Sequence, residues 1–186
     1  MNKSAYLTGQ FLLAMPGIGD PRFEQSVMAM CSHDTEGAMG IGVGSVIEGL
    51  DFHDLLGQFD IDAAQAPNAP VHFGGPVEMR RGFVLHSSDW GGQDTVDVAG
   101  RWSLTSTIDV LRAIAEGNGP AKWVVSLGYA GWGEGQLDGE LRQHGWLSVA
   151  GDAAALFDVE AADRREHLLA QAGIDPRLLA ATTGNA

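Results

Sequence analysis

Short apolar segments separated by glycine, proline and polar residues run along the whole chain. Their length and their content of β-branched and aromatic residues predict β-strands. Two of them, Val71–Phe73 and Gly82–Leu85, flank Gly74-Gly75-Pro76. We predict two strands joined here by a backbone-constrained turn, with the rest of the chain packed against this pair. Further strands are predicted at 7–15, 26–32, 39–43, 96–98, 102–104, 122–130 and 146–149.

Helical periodicity is found in the shorter stretches between these strands. Apolar residues at helical spacing predict a short helix over 52–59. Ser106-x-x-Asp109 is a capping box that predicts the start of a longer helix, and Gly117 predicts its end. Further helices are predicted between 136 and 145, over 153–157 and over 161–172. Because helices and strands follow in mixed order, we predict a single α+β domain over 1–186, with a helical C-terminal part from about 152 to 186.

Glycine accounts for 26 of the 186 residues, and it alternates with apolar residues after position 38. Met39, Ile41 and Val43 fall on one face of the predicted strand, whereas the glycines at 40, 42 and 44 leave the other face without side chains. We therefore predict that another part of the chain lies close against the bare face.

The charge of the chain limits its partners. It carries 24 acidic residues against 11 lysines and arginines, a formal net charge of −13. A nucleic-acid-binding protein needs a basic face that displaces counterions, and the sequence offers none. The same charge would be repelled by an anionic membrane surface, and no apolar stretch is long enough to span a bilayer. With Cys31 as the single cysteine and no signal-peptide pattern, we expect a cytoplasmic protein with neither a nucleic-acid nor a membrane partner.

Several motifs together resemble a known family. In order they are MPGIGDPRFEQSV, CSHDTEGAMG, GGPVEMRRGFVLH, LTSTIDVLRAIAEGNGP, LGYAGWGEGQLDGEL, LFD and GIDP. Over about residues 7–185 the chain resembles the AlgH/YqgE family, and GGPV…GFVLH followed by GYAGWGxGQL is the most specific part. The resemblance implies an α+β domain with a bifurcated mixed sheet and a small closed β-barrel portion, flanked by helices. The biochemical activity of the family is not established, and the resemblance implies no cofactor. Members of the family are called regulators, which implies a genetic link to transcription.

The chain departs from the family pattern at two places. After Gly40 the family usually continues with two apolar residues, asparagine, a basic residue and proline, whereas this chain reads IGVGS. Near the end the family often has Gly-His-Ala, whereas this chain has Gly184-Asn185-Ala186. A function that needs that asparagine or that histidine is therefore not implied here.

Two histidines stand beside possible nucleophiles. Cys31 and His33 share one face of a predicted strand, but a strand places them about 7 Å apart, so a buried structural cysteine is favoured over a Cys–His nucleophile. His86 is followed by Ser87 and Asp89, yet adjacent residues cannot form a triad, and a histidine at a strand end is favoured. The six histidines are scattered without metal-binding spacing, so we predict no metal site.

The loop Gly131–Gly135 follows a predicted strand and opens a helix, as phosphate-binding loops do. It lacks the G-K-[ST] of a P-loop, and Glu134 would occupy the place of a phosphate. It is still the best candidate for close approach to a ligand, although Trp132 as a core residue is the favoured alternative. We predict a site where this loop meets the end of the central strand. Its candidate ligand-binding residues are Gly74, Gly75, Pro76, His86, Tyr129, Trp132, Gly133 and Gln136.

Two functions of different class are compatible with these residues. The first, which we favour because no coherent set of acid, base, nucleophile and metal ligand is present, is a non-catalytic accessory or regulatory protein that binds a small ligand or a protein partner. The alternative is an enzyme of unknown reaction with a cleft near His86 and Tyr129–Gln136. The C-terminal helix alternates acids with Arg164 and Arg165, a pattern typical of a solvated face with local ion pairs.

Overall fold

The computed structural model describes residues 6–150, 152–175 and 177. This part of the chain forms ten strands and five α-helices, which confirms the α+β class. The strands are β1 (Phe11–Ala14), β2 (Val27–Asp34), β3 (Gly37–Gly42), β4 (Val46–Asp51), β5 (Pro70–Phe73), β6 (Val77–His86), β7 (Val96–Val98), β8 (Trp102–Thr105), β9 (Trp123–Trp132) and β10 (Trp146–Val149). The helices are α1 (Phe52–Gln58), α2 (Ile108–Glu116), α3 (Gln136–Arg142), α4 (Ala153–Phe157) and α5 (Ala161–Gln171). Residues 178–186, which include the departure at Gly184-Asn185-Ala186, lie outside the described residues.

The strand β9 is the centre of the sheet. Along 125–127 it lies between β5, which runs parallel to it, and β6, which runs antiparallel. Further along, at 130–132, it pairs with β3. The prediction of a central strand pair was therefore wrong in one respect: β5 and β6 are both strands, but each pairs with β9 and not with the other.

The sheet branches at β9 and curls. Its main path runs β10-β1-β2-β3-β9-β6-β8-β7, while β5 and β4 extend from the other part of β9. The curl brings the first and last parts of the path together: the ring centroid of Trp102 on β8 lies 5.4 Å from that of Phe11 on β1. Within the described residues β10 and β7 each have one partner strand, so these pairings do not show a closed barrel.

Glycines allow the backbone to cross closely at the branch. The Gly42 N–H donates to the Gly74 carbonyl at 2.7 Å, and the Gly74 N–H donates to Leu127 at 2.8 Å. A Cβ atom on Gly42 would lie 2.4 Å from the Phe73 carbonyl oxygen, and one on Gly74 would lie 2.1 Å from that of Gly128. Such distances leave no room for a side chain. The prediction that the bare glycine face of β3 has chain packed against it is confirmed.

The helix α2 begins differently from the prediction. Its N-cap is Thr107, which makes no capping hydrogen bond to the backbone. The Ser106 hydroxyl instead donates to Asp94 at 3.0 Å, so the predicted capping box of Ser106 and Asp109 was wrong. The predicted end at Gly117, which adopts a left-handed conformation, is confirmed. The sequence pattern also missed β4, whose exposed and half-buried residues lack an apolar run.

Candidate functional site

The predicted meeting of the β6 end with the loop after β9 does not occur. His86 is paired with Trp123 at the start of β9, whereas Trp132 stands nine positions later on the same strand and pairs with Ala38. Nine residues of strand, at about 3.3 Å per residue, therefore place the two positions at opposite ends of β9. The prediction that His86 and Trp132 share one site was therefore wrong, and so was the cleft proposed between them.

His86 is fully buried. Its Nδ1 donates to the Ser87 carbonyl at 2.8 Å, and its Nε2 accepts from the Thr105 hydroxyl at 2.8 Å. Burial lowers the pKa of His86, because the cationic ring would lose its hydration. Both ring nitrogens are thus engaged, and the ring holds the end of β6 against β8.

Trp132 is a core side chain, as the favoured alternative expected. It is 6 % exposed, and its indole N–H donates to Glu140 Oε2 at 2.8 Å. The indole N–H of Trp146 donates to the same oxygen, also at 2.8 Å. The Gln136 side chain accepts from the Gly133 N–H at 3.0 Å and thereby closes the loop onto the first turn of α3. These contacts join β9, α3 and β10.

Gly75 and Tyr129, which we placed in one candidate site, lie next to each other in the structure. A Cβ on Gly75 would lie 2.1 Å from the Tyr129 carbonyl carbon, so the space beside this glycine is filled by backbone. Gly74 and Gly75 are buried, and Pro76 is half-buried next to them. A ligand-binding role for these residues stays a prediction.

Cys31 and His33 do not act as a pair. Cys31 is 7 % exposed, and burial raises the pKa of its thiol to about 12. The thiol points to the Ala29 carbonyl, 3.6 Å away. His33 accepts the Leu7 N–H on Nδ1 at 3.1 Å, and its Nε2 lies 3.4 Å from an Asp138 oxygen. The interpretation of Cys31 as a buried structural thiol is confirmed.

The described residues contain neither a group of metal-ligating side chains nor a membrane-spanning helix. Across 6–150, 152–175 and 177, no three His, Cys, Asp or Glu side chains are grouped so that they could hold a metal ion. No helix in the described part of the chain is both long and apolar enough to cross a membrane.

A surface groove that we did not predict from the sequence is formed by an irregularity in β6. Val77 pairs with Tyr129 and Gly82 pairs with Leu127, so five positions on β6 span two on β9. The extra residues bulge away from the sheet, and Glu78 adopts a positive φ of 48°. A non-glycine residue in this region is strained, and such strain is concentrated where a segment has to present particular side chains.

The bulge faces the N-terminal turns of α2, and the two enclose a cavity of about 590 Å³. We name it the arginine groove. Apolar side chains from β6, α2 and the end of α1 form most of its wall, and Met79 and Ile108 are exposed by 56 % and 38 % at its mouth. The groove is lined by Phe59, Glu78, Met79, Arg80, Arg81, Gly82, Val84, Ser106, Thr107, Ile108, Val110 and Leu111.

The two arginines of the groove differ in their contacts. Arg81 donates to the Ser106 hydroxyl at 2.9 Å and lies 3.7 Å from Glu78. The Arg80 side chain is exposed and makes no hydrogen bond or ion pair with any described residue. The groove therefore offers one guanidinium held in place and one available for a ligand.

The other arginine pair has a different environment. Arg164 is 4 % exposed, so the prediction of a solvated face for α5 was wrong at this position. Its guanidinium donates to the carbonyls of Val43, Ala155 and Leu156 at 2.6–3.0 Å. Burial lowers its pKa to about 10, which leaves it charged near neutral pH. It borders a second cavity of about 500 Å³, but the chain itself occupies four of its five N–H donors.

The sequence contained one signal for the groove. The segment EMRRG interrupts the apolar residues of β6 with four long side chains, one of them a methionine between charges. In a chain with a net charge of −13, two adjacent arginines beside a methionine mark a segment that can offer both positive charge and a flexible apolar side chain to a ligand.

The structure defines the class of the protein: an α+β protein built on one branched, curled and mainly antiparallel sheet, with a groove where β6 bulges over α2. The sequence model described as AlgH-like matches residues 11–177. The chain belongs to this AlgH-like family, as its motifs indicated.

Relatives support the assignment along the full chain. A UPF0301 protein of Rhizorhabdus wittichii is 61% identical over 186 residues, which is 100% of both chains. The solution structure of the AlgH protein from Pseudomonas aeruginosa is similar with a TM-score of 0.80 and 39% identity, covering 100% of this chain and 99% of that one. A crystal structure of a Corynebacterium diphtheriae protein shares the fold, with a TM-score of 0.72 and 17% identity over 96% of this chain and 92% of that one.

Proposed function

We propose that this protein is a non-catalytic cytoplasmic binding protein that receives a small ligand in the arginine groove and acts as an accessory or regulatory factor. The observation that carries the proposal is the bulge of β6. The strand β6 is not regularly paired with β9 over 78–81, and Glu78 there has a strained backbone conformation. As a result, Met79 and Arg80 are exposed over α2. Pockets of about 300–1,000 Å³ with apolar walls and a few polar groups are typical of small-molecule sites, and the groove has about 590 Å³.

The environments of the candidate catalytic residues favour binding over the enzyme alternative. His86 is fully buried with both ring nitrogens bonded, and the Cys31 thiol has a pKa of about 12. A general base or nucleophile must reach the substrate and change its protonation state near the working pH. The titratable groups that line the groove are Glu78 and two arginines, and arginine does not exchange protons near neutral pH.

A regulatory role for this protein would act through a ligand or a protein partner and not through direct contact with DNA. The net charge of −13 opposes the phosphate backbone, and two arginines in one groove are too few to displace many counterions. In a gel shift at physiological salt we expect no sequence-selective complex with duplex DNA. Salt-sensitive, selective binding at submicromolar protein would contradict this part of the proposal.

The proposal is tested by locating bound compounds on the protein. Methyl groups of Met79 and Ile108 serve as NMR probes while a mixed library of anionic, neutral and cationic small molecules is screened. We expect some compounds to shift these two signals in a saturable way. Met79→Ser should weaken that binding, as followed on the remaining Ile108 methyl signal, whereas Val96→Ser, which alters a 53 % exposed valine on β7 outside the groove, should not. If no compound of any charge class perturbs the groove methyls, the protein does not bind small ligands there.

A further inference from the structure

We infer that the ligand of the arginine groove is a small amphipathic anion, with an apolar body and one terminal carboxylate or phosphate. This inference rests on the proposed function, since it names the chemical class of the ligand that the groove receives.

The wall of the groove accounts for the apolar body. Val84, Val110 and Leu111 are buried core residues whose surfaces form part of the wall, and Phe59 closes the end beside α1. Met79, with its flexible side chain, can fold over a bound chain or ring from the opposite side. Each methylene that leaves water in such a site adds about 0.8 kcal/mol to binding, so a ligand with a headgroup alone would bind weakly.

Arg80 accounts for the anionic end. Arg81 is held by Ser106 and Glu78, whereas Arg80 has no partner among the described residues and stands exposed at the rim. A carboxylate or phosphate oxygen accepts charge-assisted hydrogen bonds from a guanidinium, which are stronger than bonds between neutral groups. A neutral ligand would leave this guanidinium unused, and a cation would be repelled by it.

Carboxylates at the start of α2, beside the groove, limit the number of charges on the ligand. The first turn of α2 carries Asp109, which accepts the Val110 N–H at 3.0 Å and a hydrogen bond from the Thr107 hydroxyl. Asp94 accepts from the Ser106 hydroxyl at 3.0 Å, and its other oxygen lies 2.9 Å from the Thr107 hydroxyl oxygen, whose one hydrogen is directed to Asp109. Two carboxylates therefore surround the helix N-terminus and disfavour a second anion there. The ligand has one charged end beside Arg80, and molecules with several separated negative charges are disfavoured.

The inference is tested by calorimetric titration with four probes that separate its parts. Octanoate and octyl phosphate combine the apolar body with the two possible headgroups, octan-1-ol has the body alone, and acetate has a headgroup alone. We expect saturable binding of octanoate or octyl phosphate, whichever headgroup fits, with octan-1-ol about tenfold weaker and acetate about a hundredfold weaker or undetectable. The difference between octanoate and octyl phosphate identifies the headgroup.

Charge-matched variants assign the effect to the groove. Arg80→Gln should weaken binding of the amphipathic anion about tenfold and leave octan-1-ol unchanged, because only the charged contact is lost. Arg142→Gln removes the same charge from an exposed position on α3 outside the groove and should leave both affinities unchanged. Arg80 is exposed and without protein partners, so its variant is expected to fold like the parent protein.

Two results would overturn the inference while leaving the proposed function intact. One is equal binding of octan-1-ol and octanoate at the groove, and the other is unchanged affinity in Arg80→Gln. Both would show that the groove takes a ligand by apolar contact alone. Failure of every probe to perturb Met79 and Ile108, together with failure of the mixed library, would instead remove the proposed function itself.

Discussion

Arg164 and His72 lie 92 residues apart in the chain and contact each other in the interior, with Arg164 Nη1 2.8 Å from His72 Nε2. A guanidinium has no lone pair to offer, so it donates and Nε2 accepts. His72 Nδ1 must then carry the hydrogen, which it donates to the Val125 carbonyl at 2.8 Å. The ring is therefore neutral and fixed in one tautomer. Through this contact and the Val43 carbonyl, α5 is attached to the sheet.

Arg164 is expected to be a principal determinant of stability. Arg164→Met removes the donors on which His72 and the carbonyls of Val43, Ala155 and Leu156 depend. Each buried acceptor left without a donor costs about 1–3 kcal/mol, so we expect a loss of more than about 3 kcal/mol. Arg112→Met, on the exposed face of α2, should change the free energy of unfolding by less than about 0.5 kcal/mol. Urea denaturation of both variants measures the difference. Equal stability of the two would show that the buried cluster contributes nothing.

Stability should fall on mild acidification because His72 is buried in its neutral form. Burial lowers its pKa from 6.5 to about 4, and the charge on Arg164 adds to the effect. Between these two values the unfolded chain binds more protons than the folded one. The contribution is thus complete above about pH 6.5 and is lost as the pH falls toward 4, about 3 kcal/mol in all. Urea unfolding at a series of pH values measures this slope.

A variant and a second pH window separate this effect from others. His72→Gln can still accept from Arg164 but does not titrate, so its stability should change less between pH 6.5 and 4. His86, whose pKa burial also lowers, adds to the same window and is unaffected by the variant. Hydrogen bonds hold the pKa values of Asp89 and Asp109 below 3.8, in Asp109 against the opposing effect of its burial. Their protonation therefore removes stability only below about pH 3.8, outside the window of His72. An unchanged slope in His72→Gln would contradict the assignment.

The glycine crossing at the sheet branch should not tolerate a methyl group. In Gly74→Ala the new Cβ would lie 2.1 Å from the Gly128 carbonyl oxygen, and either β5 or β9 would have to move. We expect a loss of more than about 3 kcal/mol or failure to fold. Gly57→Ala is the matched control, since a Cβ there meets nothing within 4 Å, and α1 should gain about 0.5–1 kcal/mol. Thermal unfolding compares them, and similar melting temperatures would disprove the close crossing.

Cys31 should be unreactive in the folded protein. Its thiol is buried with a pKa of about 12, so almost no thiolate is present near neutral pH. Iodoacetamide should therefore leave the native protein unmodified over the time in which it fully alkylates the protein unfolded in urea. Mass spectrometry measures both extents. Rapid alkylation of the native protein would show that the thiol is accessible and ionised.

Much of the local structure followed from the sequence. Periodic apolar residues predicted the helix α1 and the strands around 26–32, 102–104 and 146–149, because the spacing of side chains along a helix or strand is a local property. The left-handed glycine at the end of α2 is likewise a local signal. The motifs, read together, also identified the family. The capping box predicted at the start of α2 was wrong because the Ser106 hydroxyl binds Asp94, twelve residues away, rather than its own helix.

The sequence by itself determined the α+β class, most of the elements and the buried state of Cys31. Tertiary structure alone decided which strands pair, and therefore that β9 rather than the segment 70–90 is the centre of the sheet. It also decided that Arg164 is buried beside Val43, 121 positions away, and that 78–81 bulges over α2 to form the groove. The physical reason is that pairing and burial depend on contacts between residues far apart in the chain, whose spacing in sequence carries no periodic signal.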